Sequence, residues 1–168
     1  MAGRIDVHHH VLPEFYIEAQ RGAGITGSAY RGFPEWSAEH SLSVMETEEI
    51  ATSVLSFTSP GIWFGDIDQT KALARQCNEF LAGLAEDHPG RFGGFAFLPL
   101  PDLDAALSEM AHALDDLKLD GITLLTSISA IRISSRYTRS STGERPSCSS
   151  TRVIRRAPRP MAGISRAC

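Results

Sequence analysis

The chain contains no run of about 18 apolar residues, the length a helix needs to span a bilayer, although 42% of its 168 residues are hydrophobic. That combination fits one globular domain of ordinary size and no membrane partner. The N-terminus, MAGRIDVHHH, lacks the apolar core of a secretory leader, so a cytoplasmic location is expected. Cysteine is scarce: Cys77, Cys148 and Cys168 show neither paired spacing nor a metal-site pattern, which excludes a disulfide framework. Residues 127–168 hold no Leu, no Phe, no Lys and one acidic residue, Glu144.

The net charge of −4 hides a division at that boundary. Residues 1–126 carry 7 Lys+Arg against 19 Asp+Glu, a net of −12. Residues 127–168 carry 9 Arg against the single Glu, a net of +8, with ten serines. Clustered arginine attracts phosphates irrespective of sequence, so polyanion binding through the tail is a distant alternative function. Against it, the tail has one aromatic, Tyr137, and no nucleic-acid motif, and nucleic acid is not the expected partner. Beyond a brief alternation at 128–133 the tail has no helical or strand period. It is expected to be irregular, because so little apolar surface cannot offset the entropy of ordering.

Residues 1–126 are orderly. A strand is expected over 4–10, and a short helix in PEFYIEAQ. A stronger helix is expected over 37–49 with Ser37 as N-cap. The β-branched run IATSVLSF (50–57) is a second strand, stopped by TSPG. Residues 68–87 place Leu73, Cys77, Phe80, Leu81 and Leu84 at helical spacing, and Pro89-Gly90 ends the pattern. A third strand is expected over 91–100. A helix follows over 102–118, capped by Asp102, with Leu103, Leu107, Met110, Leu114 and Leu117 on one stripe. DGITLLTS (120–127) is a fourth strand. Strands that alternate with helices, and are apolar along their length, predict parallel βαβ units covered on both faces.

Within the first strand stands HHH. Residues two apart on a strand share a face, so His8 and His10 project side by side, roughly 7 Å apart at the backbone. Two imidazoles at that separation can converge on one metal ion, while His9 points the other way. A hydrogen-bonded pair with no metal is an equal reading of the motif alone. Asp6 shares the parity of His8 and His10 but stands at the strand's start, where it bonds backbone or a neighbouring side chain. His40, His88 and His112 read as surface residues. Trp63 and Phe64, after the second strand, are candidate substrate-binding residues, and the Gly-rich loop 21–33 is a candidate lid.

The order IDVHHH…LP, IATSVLSFTSPG, HPGRFGGFAFLPLPDLDAALSEMAHALDDLKLDGITLLT resembles the amidohydrolase-related (amidohydrolase 2) family. That group includes the aminocarboxymuconate-semialdehyde, 6-methylsalicylate and γ-resorcylate decarboxylases. The likeness covers residues 4–126. It implies a TIM-type (β/α)8 barrel that binds one divalent metal, zinc or else manganese, at the C-terminal ends of its strands. His8 and His10 match the first two ligands. A third ligand His, a catalytic His and a ligand Asp would follow on later strands, and no position here matches them. The catalytic residues therefore stay unassigned. Glu49 stands where the family often has Gly, which is expected to strain a turn.

A (β/α)8 barrel needs about 200 residues or more, and the orderly part supplies four of eight strands. A truncated half barrel is expected, with its first and fourth strands as open edges that a homodimer could cover. A change of reading frame near residue 127 accounts for the abrupt change in composition. The implied activity is decarboxylation of a small aromatic or unsaturated carboxylic acid by a carboxy-lyase. The alternatives are a metal-dependent hydrolase of the same superfamily or a non-catalytic remnant.

Overall fold

The computed structural model describes residues 3–27 and 32–125, together with the backbone of residues 152–155. The elements run β1 (Arg4–His10), α1 (Glu14–Gly22), α2 (Ala38–Thr47), β2 (Ile50–Ser56), α3 (Ile67–Asp87), β3 (Phe92–Ala96), α4 (Leu103–Ala111), β4 (Gly121–Leu124) and β5 (Arg152–Arg155). A π-helical stretch, His112–Asp116, prolongs α4. The sheet order is β1-β2-β3-β4-β5, with β1 to β4 parallel and β5 antiparallel to β4. Four parallel strands joined through helices form the expected half barrel. No helix among the described residues is long and apolar enough to cross a membrane.

Three helices start on side-chain caps. Ser37 Oγ accepts from the His40 N–H at 3.1 Å, Asp66 Oδ1 from Gln69 N–H at 2.9 Å, and Asp102 Oδ1 from Ala105 N–H at 3.0 Å. Each satisfies one of the amides left without a partner in a first helical turn. The main core packs α3 against β2 and β3, with Leu55, Phe57, Cys77, Leu81 and Phe97 buried in it. A smaller cluster of Leu98, Ala106, Ile122 and Leu124 lies under α4. At the start of β3, Asp120 Oδ2 accepts the Gly94 N–H at 2.9 Å. A Cβ at Gly93 would collide with that carboxylate, so the close approach requires glycine there.

Several expectations need adjusting. The third strand ends at Ala96 rather than residue 100, because Phe97 leaves the ladder and both its backbone groups bond the Asn78 carboxamide. The leucine stripe of α4 is rotated: Leu103 and Leu107 are 39% and 49% exposed, while Ala106, Glu109 and Ala113 are buried. Small alanines let the helix sit close to the strands, and Glu109 is drawn inward by Arg75 and Asn78. The edge of β4, expected to be open, carries β5, whereas β1 remains an edge with Ile5 65% exposed. The boundary expected at 126/127 and all of the tail other than the backbone of 152–155 lie outside the described residues.

Candidate metal centre

The pairing of β1 with β2 shifts register between Asp6 and His9, so that Asp6 lies opposite Ser53 and His9 opposite Leu55. The extra residue on β1 is a bulge, which re-aims side chains. Asp6 spans it. Its Oδ1 accepts the His8 N–H at 2.9 Å, and its Oδ2 lies 3.5 Å from His9 Nδ1. Simple alternation puts Asp6 beside His8 and His10; with the bulge it also reaches His9, its charge still acts on His10, and its bonds are to backbone and a neighbouring side chain as expected. His9 reaches away to α2, where Nε2 lies 3.0 Å from Ser41 Oγ.

His8 and His10 remain together. Their ring centroids are 4.7 Å apart with the planes at 68°. His8 is exposed and His10 half-buried, at the carboxyl end of β1. His10 Nδ1 lies 3.2 Å from Ser56 Oγ, on the strand that pairs with it. Burial holds the His10 pKa below the ordinary 6.5; a hydrogen bond to the Ser56 backbone opposes this, and His8 and His9 add to the lowering. His10 is therefore neutral at neutral pH, the form that can coordinate a metal. A neighbour that fixes one ring nitrogen also orients the other toward a ligand position.

The donor set fits a divalent cation as two of its ligands. Among the described residues no group of three or more His, Cys, Asp and Glu side chains is placed to hold one. Remaining donors would have to come from elsewhere. Ser56 and Ser41 have no signal in the sequence, since both roles arise from pairing across the sheet and packing of α2.

Trp63, in the loop after β2, is 49% exposed, and Phe64 packs against the main core. The same loop is tied to α1: Tyr16 donates its hydroxyl to the Thr58 carbonyl at 2.8 Å, and Gln20 Nε2 donates to the Gly61 carbonyl at 2.7 Å. Burial pushes the Tyr16 phenol well above its ordinary value, so it stays protonated and serves as a donor. His40 is exposed, His88 stacks edge-on with Phe92 at 5.5 Å, and His112 Nδ1 bonds Asp116 at 2.9 Å. None of these three joins the His8–His10 pair.

Comparison with known proteins gives consistent results. Residues 5–138 match the family described as Amidohydrolase. A decarboxylase, yanB, of Aspergillus niger is 43% identical over 128 residues, which are 73% of this chain and 34% of that protein. The 6-methylsalicylic acid decarboxylase acuB of Aspergillus aculeatus is 38% identical over 125 residues, 73% of this chain and 38% of that protein. The chain thus spans somewhat over a third of the length of these curated relatives. Among solved structures, a dihydroxybenzoic acid decarboxylase from Polaromonas sp., with bound manganese and the inhibitor 2-nitroresorcinol, superposes with a TM-score of 0.60. It is 25% identical, with 73% of this chain and 38% of that one covered.

Proposed function

Because the chain belongs to the amidohydrolase family, we propose that it carries part of a metal-dependent carboxy-lyase for a small aromatic or unsaturated carboxylic acid. In this reading His8 and His10 are two ligands of the metal, zinc or manganese, and Trp63 borders the substrate. The observation that carries it is the pair of imidazoles 4.7 Å apart at the carboxyl end of a parallel strand, the end at which such sheets place their sites. Names of the relatives support decarboxylation over hydrolysis.

The residues present have definable parts in this chemistry. His10, kept neutral by burial, offers a lone pair without first losing a proton. Ser56 fixes its ring, and the His8 ring stands edge-on beside it, so both arrive pre-aligned. A bound divalent metal supplies Lewis acidity toward the oxygens of the substrate. Decarboxylation also needs a proton delivered to the carbon that loses carbon dioxide, and no described side chain beside the pair is placed as that donor.

Metal content after dialysis tests the ligands. His8→Ala and His10→Ala should each lose bound zinc or manganese, and His9→Ala should keep it, since His9 faces Ser41. Equal loss in all three variants would mean that a tri-histidine tract binds metal without regard to the strand.

A further inference from the structure

His8 and His10 make half of a coordination sphere. Their ring centroids stand 4.7 Å apart, and rings bound side by side to one ion through bonds of about 2.1 Å have centroids roughly 4.5–5.2 Å apart. Ser56 Oγ holds His10 Nδ1, which leaves Nε2 to ligate. The His8 ring is exposed and makes no hydrogen bond among the described residues. Zinc in its usual tetrahedral form takes four ligands, and the described residues gather no group of even three.

The strand that carries the pair is also where a second copy can approach. Among the described residues no strand pairs with the outer side of β1. Ile5 and Val7 are exposed along it, apolar surface that gains by being covered. Residues 1–126 carry a net charge of −12, which drives copies apart, but within β1 Arg4 balances Asp6. We propose that a second copy of this chain completes the donor set: its own His8 and His10 meet the first pair across a two-fold axis, four imidazoles hold one metal ion, and the two β1 edges lie together. Such an interface is self-complementary, so one surface supplies both halves. With four protein ligands the ion has no open position, which is the arrangement of a structural site and not of a catalytic one. This rests on the reading of His8 and His10 as ligands, and stoichiometry separates the two.

Sedimentation velocity and metal content of the full chain test it. After removal of metal with EDTA the chain should sediment at its monomer mass, 18.3 kDa. Stepwise addition of zinc should double that mass and level off at one zinc per two chains. Zinc in large excess should return monomers, by filling each pair separately. His8→Ala and His10→Ala should stay monomeric with zinc, and His9→Ala should dimerise; the titration of the unsubstituted chain decides the matter even if a variant fails to fold. Ile5→Lys, which touches no ligand, should weaken the zinc-bound dimer severalfold by bringing two positive charges into the interface. One zinc per chain at the monomer mass would overturn the proposal and leave the ligands standing, whereas no bound zinc would remove both. A dimer that persists unchanged in EDTA, or one indifferent to Ile5→Lys, would also overturn it.

Discussion

Glu49 joins α2 to β2 with a φ of +55°, a left-handed conformation that a residue with a Cβ adopts at some cost. Its carboxylate lies 3.5 Å from Arg4, but both side chains are well exposed, and such pairs contribute little. Glu49→Gly should therefore raise stability by about 0.5–1 kcal/mol in urea unfolding. Glu49→Ala, which loses the ion pair and keeps the strain, should not raise it. Equal stability of the two variants would show that the turn holds no strain. This position was legible only through resemblance to the family, since nothing local to EEI forces a positive φ. The histidine pair was legible by alternation alone. The contact of Asp6 with His9 was not legible by the same rule, because a bulge depends on how β1 pairs with β2, and a single strand's pattern does not contain its partner.

Within the elements, one buried amide holds the end of β3. Asn78 donates Nδ2 to the Phe97 carbonyl at 3.0 Å and accepts the Phe97 N–H at 2.7 Å, standing in for a neighbouring strand. The same Nδ2 reaches Glu109 Oε1 at 2.8 Å, and Arg75 grips that carboxylate through Nε and Nη2. Asn78→Ala should cost about 2–4 kcal/mol, since it strands two buried backbone groups and opens a small cavity, measurable as a lowered urea midpoint with unchanged slope. On α4, the Ala105 N–H, and then Lys71 at 3.0 Å, hold the Asp102 carboxyl below its ordinary 3.8. A depressed folded value means that this stabilisation is present above pH 3.8 and is lost as pH falls through the lower, folded value. Asp102→Asn keeps a cap but does not titrate, so it should flatten the acid limb of the Tm profile; an unchanged limb would exclude Asp102 as its source. Caps such as Ser37 and Asp102 can be read from sequence because they act within three residues. The rotated stripe of α4 could not, because a buried Glu109 makes sense only once Arg75 and Asn78 face it.

At the scale of the molecule, the described residues bring the two imidazoles of His8 and His10 together, and no group of three or more His, Cys, Asp and Glu side chains placed to hold a metal. Groups that act as one catalytic unit fail together, with losses of orders of magnitude. If the described residues are all that this chain contributes to the site, the 168-residue chain assayed alone should release no carbon dioxide from hydroxybenzoates with added zinc or manganese. Turnover that vanishes in His8→Ala would mean that residues outside those described complete the site. The two edges of the sheet also differ in kind. Among the described residues no strand pairs with the outer side of β1, where Ile5 and Val7 are exposed, and that edge is open to a partner of either direction. Beyond β4, the backbone of Arg152–Arg155 already fills the ladder in the antiparallel sense. Antiparallel and parallel neighbours meet a strand with differently spaced hydrogen bonds, so the two are mutually exclusive at that edge. A complementing fragment that carried further parallel strands would thus meet an incumbent there and would have to win by exchange. Its docking at β4 would follow the fraying of four residue pairs and not simple encounter, and a chain ending before residue 152 would accept it faster.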